Sequence, residues 1–299
     1  MDDEKIAIDV GSSSVKVYKI KKERTELLFV RSIFFKDGFD PEIGIAKEKK
    51  EELFELVEEV KKSYGKCSFK VIATSQFRKL SPEARENFVG EFFKKTGLRF
   101  DIISQEMESL YLEKALVGKA DVEEPILLVN IGGGSTELIL MQGMKAVKKI
   151  DLDFGVGTVL NRFHKINEEY SGCTVKDITS FVKEKLPEIK NNVRYAVYTG
   201  GELNYMQIAE YNLVANNLFE DKDHPKKISI EDFSLRNEEI FSSMTFKELE
   251  NKMPENPKWV HGSRACSALA QAIFEKYGIN FIIPSDSNII HGYVREELK

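Results

Sequence analysis

With 299 residues, 42% hydrophobic and 31% charged, the chain has room for one large or two ordinary domains and can bury about three quarters of its unfolded surface, without a metal or disulfide staple. Its net charge of −5, with cations scattered in short clusters such as Lys21, Lys22 and Arg24, speaks against a dedicated binder of nucleic acid duplexes or membranes. Three widely spaced cysteines form neither a disulfide framework nor a metal motif, the start MDDEKIAIDV is acidic rather than basic, and no apolar run approaches the roughly 18 residues of a membrane span, so a cytoplasmic protein is expected.

In chain order, IAIDVGSSSVKVYKI (6–20) reads as strand, small-residue turn and returning strand, and ELLFVRSIFF as a third strand. KEKKEELFELVEEVKKSYG has helical apolar spacing and closes near Gly65; FKVIATS is strand-like. SPEARENFVGEFFKKTG predicts a helix with Ser81 as cap, Pro82 in its first turn and Gly97 at its end. RFDIIS gives a strand, then a helix capped by Ser104 and closed by Gly118. LLVNIGGGSTELILM (127–141) repeats the opening hairpin; KKIDLDF, a helix and YAVYTGG continue the theme, and INFIIPSDSNIIHGYVREEL supplies a last strand and helix. Residues 218–258 give no clear order, and EDKDHPKK reads as loop.

Strands lead and helices follow, which predicts an α/β chain of mixed sheets with covering helices. The two hairpins align at a constant offset, pairing Asp9 with Asn130, Gly11 with Gly132 and Ser14 with Ser135, so two related domains are expected. The polar GKADVEEP (118–125) marks the crossing. The predicted layout is 1–122 plus 285–299 as one domain and 123–284 as the other.

Glycine lets backbone approach a ligand, and successive N–H groups in a tight turn form a concavity for anionic oxygens. Gly132, Gly133 and Gly134 with Ser135 and Thr136 fit a phosphate cradle; Gly11 with Ser12, Ser13 and Ser14 fits a second. No GxxxxGK[ST] loop is present, a GxGxxG fingerprint is broken at Glu137, and His164, His224, His261 and His291 form no ligand pair.

IAIDVGSSSVKVYKI, IATSQFRKLSPEARENF, IISQEMESLYLEKALVG, LLVNIGGGSTELILM, DLDFGVGTVLNRF and VYTGGE occur in an order that resembles the exopolyphosphatase / guanosine pentaphosphate phosphohydrolase family of the actin-like ATPase superfamily. The resemblance implies two RNase H-like domains around an interdomain cleft and Mg²⁺-dependent release of terminal phosphate from inorganic polyphosphate or pppGpp. It places the catalytic base on Glu108 and an assisting arginine on Arg78, with Gly200 and Gly201 as a further phosphate turn. Glu108 also lies in the first turns of a helix, where the dipole favours a carboxylate, and its neighbours one turn on are Tyr111 and Leu112 rather than lysines. Asp9 and Glu137 are the carboxylates offered to Mg²⁺, with Asn130 as a neutral third ligand where the family has aspartate. That amide predicts a raised magnesium requirement rather than lost chemistry.

Ser13, Met107 and Glu202 also depart from the family pattern and bear on substrate choice and turnover. They keep two alternatives open: a regulator that binds guanosine tetraphosphate with little catalysis, and an ATP-dependent phosphotransferase of the same superfamily. The helical C-terminal module of longer relatives is not expected here, and a homodimer would extend the surface offered to a long anion.

Overall fold

The computed structural model describes residues 4–22, 24–117, 124–143, 145–189, 192–200, 202–218, 223–254 and 256–298. It divides into two compact units, Met1–Leu112 with Ile289–Lys299, and Glu113–Asn288. The stretch expected to carry the chain between domains lies largely outside the described residues, as does Gly118, the expected close of a helix.

Unit 1 opens with β1 (Glu4–Val10), β2 (Ser14–Lys21) and β3 (Arg24–Ser32), an antiparallel meander. Helix α1 (Lys47–Ser63) buries Leu53, Phe54, Val57 and Val60 at helical spacing. After β4 (Ser68–Ala73) comes a single turn, α2 (Ser75–Arg78), then α3 (Pro82–Thr96), β5 (Phe100–Ile102) and α4 (Gln105–Val117). The caps of α3 are those expected: the Ala84 N–H donates to Ser81 Oγ at 3.3 Å, and Gly97 takes the left-handed conformation at φ 69°. Strand order is β3-β2-β1-β4-β5, with β4 parallel to both β1 and β5, the order of an RNase H-like domain. One face of the sheet is filled by phenylalanines: Phe77 lies 5.1 Å from both Phe35 and Phe100, and Phe92 is 4.8 Å from Phe100.

Unit 2 repeats the plan. Strands β6 (Ile126–Ile131), β7 (Thr136–Gln142) and β8 (Lys145–Leu152) form the meander, followed by α5 (Val156–Arg162), α6 (Val175–Lys183), β9 (Tyr195–Thr199) and α7 (Glu202–Ile208). The region without clear order holds β10 (Val214–Ala215), β11 (Lys226–Ser229), α8 (Ile230–Ser242) and α9 (Phe246–Asn251). Helix α10 (Ser263–Tyr277) and β12 (Phe281–Ser285) complete the unit, while α11 (Ile289–Glu297) groups with unit 1. Strand order is β10-β11-β12-β9-β6-β7-β8, so β8-β7-β6-β9-β12 matches the five strands of unit 1.

Helix α10 is buried nearly all round. Its Arg264 has no exposed surface and donates to the carbonyls of Ile166 (2.9 Å), Glu168 (3.2 Å), Ile240 (3.4 Å) and Met244 (2.6 Å), which ties three loop ends to one guanidinium. In unit 1, α11 approaches α4 at Gly292, where a Cβ would stand 1.7 Å from the Tyr111 carbonyl oxygen. No described helix is long and apolar enough to cross a membrane.

Candidate active site

In open α/β sheets ligands collect beyond the carboxyl ends of the parallel strands, and the predicted residues of each unit gather there. In unit 1, Asp9 is the penultimate residue of β1 and faces Lys16 across the β1–β2 pair. The turn that follows closes through Gly11 N–H to the Ser14 carbonyl at 2.9 Å. Backbone beyond β3 stitches onto it, Ile33 N–H to Ser13 O (3.1 Å) and Phe35 N–H to Ser12 O (3.0 Å). Ser12 is almost enclosed, whereas Ser13 and Ser14 are half-buried. Enclosure also acts on Asp9: desolvation pushes its carboxyl up to about 6, and the charge of Lys16 offsets this only in part.

The next two strands of unit 1 deliver Arg78 and Glu108. Thr74 at the end of β4 hydrogen-bonds Val10, and Ser75 then takes φ 31°, a strained value for a side-chain-bearing residue, to start the single turn that carries Arg78. Arg78 Nη1 donates to Glu108 Oε2 at 2.6 Å and to Ile103 O at 3.4 Å, while Nη2 donates to Gln105 Oε1 at 2.7 Å. Both ends of the pair are sheltered, with side chains 17% and 7% exposed, so the ion pair lies where water screens it weakly. Ser104 caps α4 as expected, accepting from the Met107 N–H at 3.2 Å. The sequence pattern of α4 shows no basic neighbour for Glu108; its cation comes from thirty residues upstream instead.

In unit 2 the same turn recurs, with Gly132 N–H to Ser135 O at 2.9 Å. It is stitched by Val156 N–H to Gly132 O (3.0 Å) and Gly157 N–H to Gly133 O (2.9 Å). Gly155 permits this approach, because a Cβ there would stand 2.2 Å from the Gly132 oxygen. Asn130 and Glu137 face each other across β6 and β7: Asn130 Nδ2 donates to Glu137 Oε2 at 2.6 Å, and Ser135 Oγ to Glu137 Oε1 at 2.7 Å. Glu137 is 1% exposed.

Three expectations need correction. The N–H groups of Gly11 and Gly132 close their own turns and do not face a ligand as donors. Thr136 is fully buried and its hydroxyl donates to Phe154 O at 2.9 Å, so it anchors the loop before α5 rather than cradling phosphate. Among the described residues, no three acidic, histidine or cysteine side chains converge as a metal cluster. Within a unit, the metal candidates brought together are Asn130 and Glu137, with Asp9 in unit 1.

The model of the Ppx/GppA phosphatase family matches residues 35–298. The chain belongs to this family. Two solved structures share its fold: the Aquifex aeolicus Ppx/GppA family member, 21% identical with TM-score 0.73 over 99% of this chain and 97% of that chain, and an exopolyphosphatase from Cytophaga hutchinsonii, 14% identical with TM-score 0.76 over 97% and 96%. A bifunctional 3-dehydroquinate synthase/phosphatase of Fusobacterium nucleatum subsp. nucleatum is 24% identical over 97% of this chain and 46% of its own length. A guanosine-5'-triphosphate,3'-diphosphate pyrophosphatase of Aeromonas hydrophila subsp. hydrophila is 26% identical over 63% of this chain and 39% of its own. This Ppx/GppA chain therefore spans less than half the length of these curated relatives.

The third turn of this Ppx/GppA chain follows β9. Gly200 has φ 130°, a conformation that favours glycine, and Gly201 lies outside the described residues. Glu202 is turned inward, 5% exposed, with Cys266 Sγ 3.8 Å from its Oε1, so it is not presented as a ribose or phosphate contact. The strain at Ser75 and the close approach at Gly155 escaped sequence reasoning; the only signal for the latter was the glycine itself in DFGVGT.

Proposed function

We propose that the chain is a phosphohydrolase that releases the terminal phosphate of inorganic polyphosphate or pppGpp by attack of water. The carrying observation is the sheltered Arg78–Glu108 pair at the carboxyl end of the parallel strands of unit 1. Hydrolysis of a phosphoanhydride asks a protein to place water in line with phosphorus and to neutralise charge on the departing oxygens. Glu108, fixed by Arg78 through one carboxylate oxygen, is the group that orients water and accepts its proton. Arg78 holds that acid in place and offers its guanidinium to phosphate oxygens when substrate enters. The Ser12–Ser14 and Gly133–Ser135 turns present backbone and hydroxyl groups to the anion.

The donor chemistry fits Mg²⁺, which takes hard oxygen ligands and needs only one or two carboxylates beside phosphate oxygens. Asp9 is an acid whose desolvation is incompletely offset, and Glu137 is an enclosed acid hydrogen-bonded to the neutral Asn130 and Ser135. Asp9, Glu137 and the Asn130 carbonyl would hold the ion, which when bound supplies positive charge against the phosphate oxygens.

The test is phosphate release from polyphosphate and from pppGpp with Mg²⁺. Glu108→Gln is expected to lower kcat by about 10² to 10⁴ with KM little changed. Equal rates in wild type and variant would remove Glu108 from the chemistry. Asn130 favours a second reading, a guanosine tetraphosphate-binding regulator, because its amide already meets Glu137. Tight guanosine tetraphosphate binding with no phosphate release from any phosphoanhydride would select it.

A further inference from the structure

Neither lysine at the rim of unit 1 has a part in the chemistry above. The backbone leaving β3 is pinned to the first turn at Ser12 and Ser13 and then closes a turn of its own, Asp37 N–H to Phe34 O at 3.1 Å. Phe35, fully buried, meets the fully buried Phe77 edge-on at 5.1 Å. These two core rings bring their chain neighbours to one rim: Lys36 beside Phe35, and Arg78 and Lys79 just beyond Phe77. Ser12 and the Arg78–Glu108 pair share that rim through the hydrogen bonds already described.

Lys36 is only partly exposed, and its ammonium is pushed down to about 8, first by burial and then by the charge of Lys79. A desolvated ammonium held near a second lysine is unfavourable in the unliganded protein, and an anion seated beside both offsets that repulsion. The buried phenylalanines keep the main chain from withdrawing the pair. An oligophosphate carries about one negative charge per linked phosphoryl group, so its inner groups suit such a place.

We propose that Lys36, supported by Lys79, grips an inner phosphoryl group of a phosphate chain whose terminal group lies at Glu108, and so sets a preference for chains of at least three linked phosphates. This rests on the phosphohydrolase reading. Lys36 is a specificity residue here, and Lys79, exposed, strengthens the local field.

The experiment compares full-length wild type with Lys36→Met, Lys36→Arg and Lys79→Gln, using pyrophosphate, tripolyphosphate, long-chain polyphosphate and guanosine 5'-triphosphate with Mg²⁺. Lys36→Met is expected to raise KM about tenfold for tripolyphosphate, polyphosphate and the nucleotide, with kcat held within about twofold and pyrophosphate turnover unmoved. Lys36→Arg should restore most of the loss, and Lys79→Gln should raise KM about threefold. Equal losses on pyrophosphate and tripolyphosphate, no loss on either, or an effect confined to the nucleotide would each overturn the proposal.

A binding arm separates this proposal from the function it rests on. Tripolyphosphate is titrated calorimetrically into Glu108→Gln, with and without Lys36→Met. Should wild type hydrolyse no phosphoanhydride, the phosphohydrolase reading falls, while binding weakened about tenfold by Lys36→Met still sustains the lysine grip. No tripolyphosphate binding, or equal binding by both proteins, sinks it. Urea melts exclude misfolding as the cause, since loss of a desolvated charge should leave Lys36→Met at least as stable as wild type.

Discussion

The two hairpins share a backbone and differ in charge. Each turn closes by the same 2.9 Å hydrogen bond, Gly11 to Ser14 and Gly132 to Ser135, and each is stitched by backbone that leaves the third strand of its meander. Yet the cross-strand pair at the base of the first is Asp9 with Lys16, and at the equivalent place in the second is Asn130 with Glu137. One unit thus keeps a desolvated acid opposite a cation, and the other keeps an enclosed acid opposite an amide. Hydrogen-bonding geometry constrains the main chain of both copies alike; it leaves the charges free to diverge according to what each copy must hold.

The largest effect expected from breaking this symmetry is at Gly155, which has no equivalent close approach in unit 1, where Ile33 and Phe35 do the stitching. Gly155→Ala drives a methyl into a carbonyl oxygen that belongs to the turn itself. It should destabilise the protein by about 3 kcal/mol or more and depress turnover, read by urea melts and phosphate release. Ordinary stability would mean that the second turn tolerates displacement and that the two hairpins need not match.

Asp9→Asn comes next and should have opposite consequences for stability and activity. The folded carboxyl sits at about 6 against 3.8 for the model value, so the folded chain holds this proton more tightly and ionisation works against folding. The penalty is full above pH 6, about 3 kcal/mol by linkage, and is relieved as pH falls through 6 toward 3.8. Without Mg²⁺, Asp9→Asn is therefore expected to be more stable than wild type at pH 7.5, with roughly half the advantage at pH 5. It should also lose turnover and any stabilisation by added Mg²⁺. A variant no more stable at pH 7.5 would show that Lys16 compensates the acid fully.

Much of this was legible in the sequence. Ser81, Pro82 and Gly97 announce α3 because caps act locally, and the constant offset between the hairpins announces two similar sheets because a strand-turn-strand unit is a local pattern too. The Arg78–Glu108 contact could not be derived from helical spacing, since it joins the turn after β4 to the helix after β5 and exists only once those strands pair. The strain at Ser75 leaves no mark in the residue type. Gly292 shows the same limit: HGY reads as a weak point in a terminal helix, whereas the fold uses it to bring α11 against the Tyr111 carbonyl, one turn from Glu108. Thr136 failed for the converse reason, because a hydroxyl beside three glycines reads as a phosphate donor until the strand register turns it inward.

Asn130→Asp restores the acid that the family resemblance implies and places a second carboxylate against Glu137. Without metal, the lost Nδ2 donor and the like-charge contact should lower stability by about 2 kcal/mol. Mg²⁺ should recover it and reach half-saturation at a severalfold lower concentration than in wild type. Melting curves in chelator and in Mg²⁺, with a magnesium titration of turnover, provide the check. If both stability and metal dependence stay put, the amide is not standing in for a metal-binding charge.

The smallest expected difference isolates the chemistry most cleanly. Ser135 donates to Glu137, so Ser135→Ala leaves one oxygen of an enclosed carboxylate without that donor and should cost about 1 kcal/mol. Ser14 is its equivalent in the first hairpin, but the residue two positions on is Lys16, which offers no carboxylate for the hydroxyl to meet. Ser14→Ala should therefore stay within about 0.5 kcal/mol of wild type. Paired urea melts read the difference directly: equal losses would mean that both serines act only as turn residues, whereas a loss confined to Ser135 assigns it to the support of Glu137.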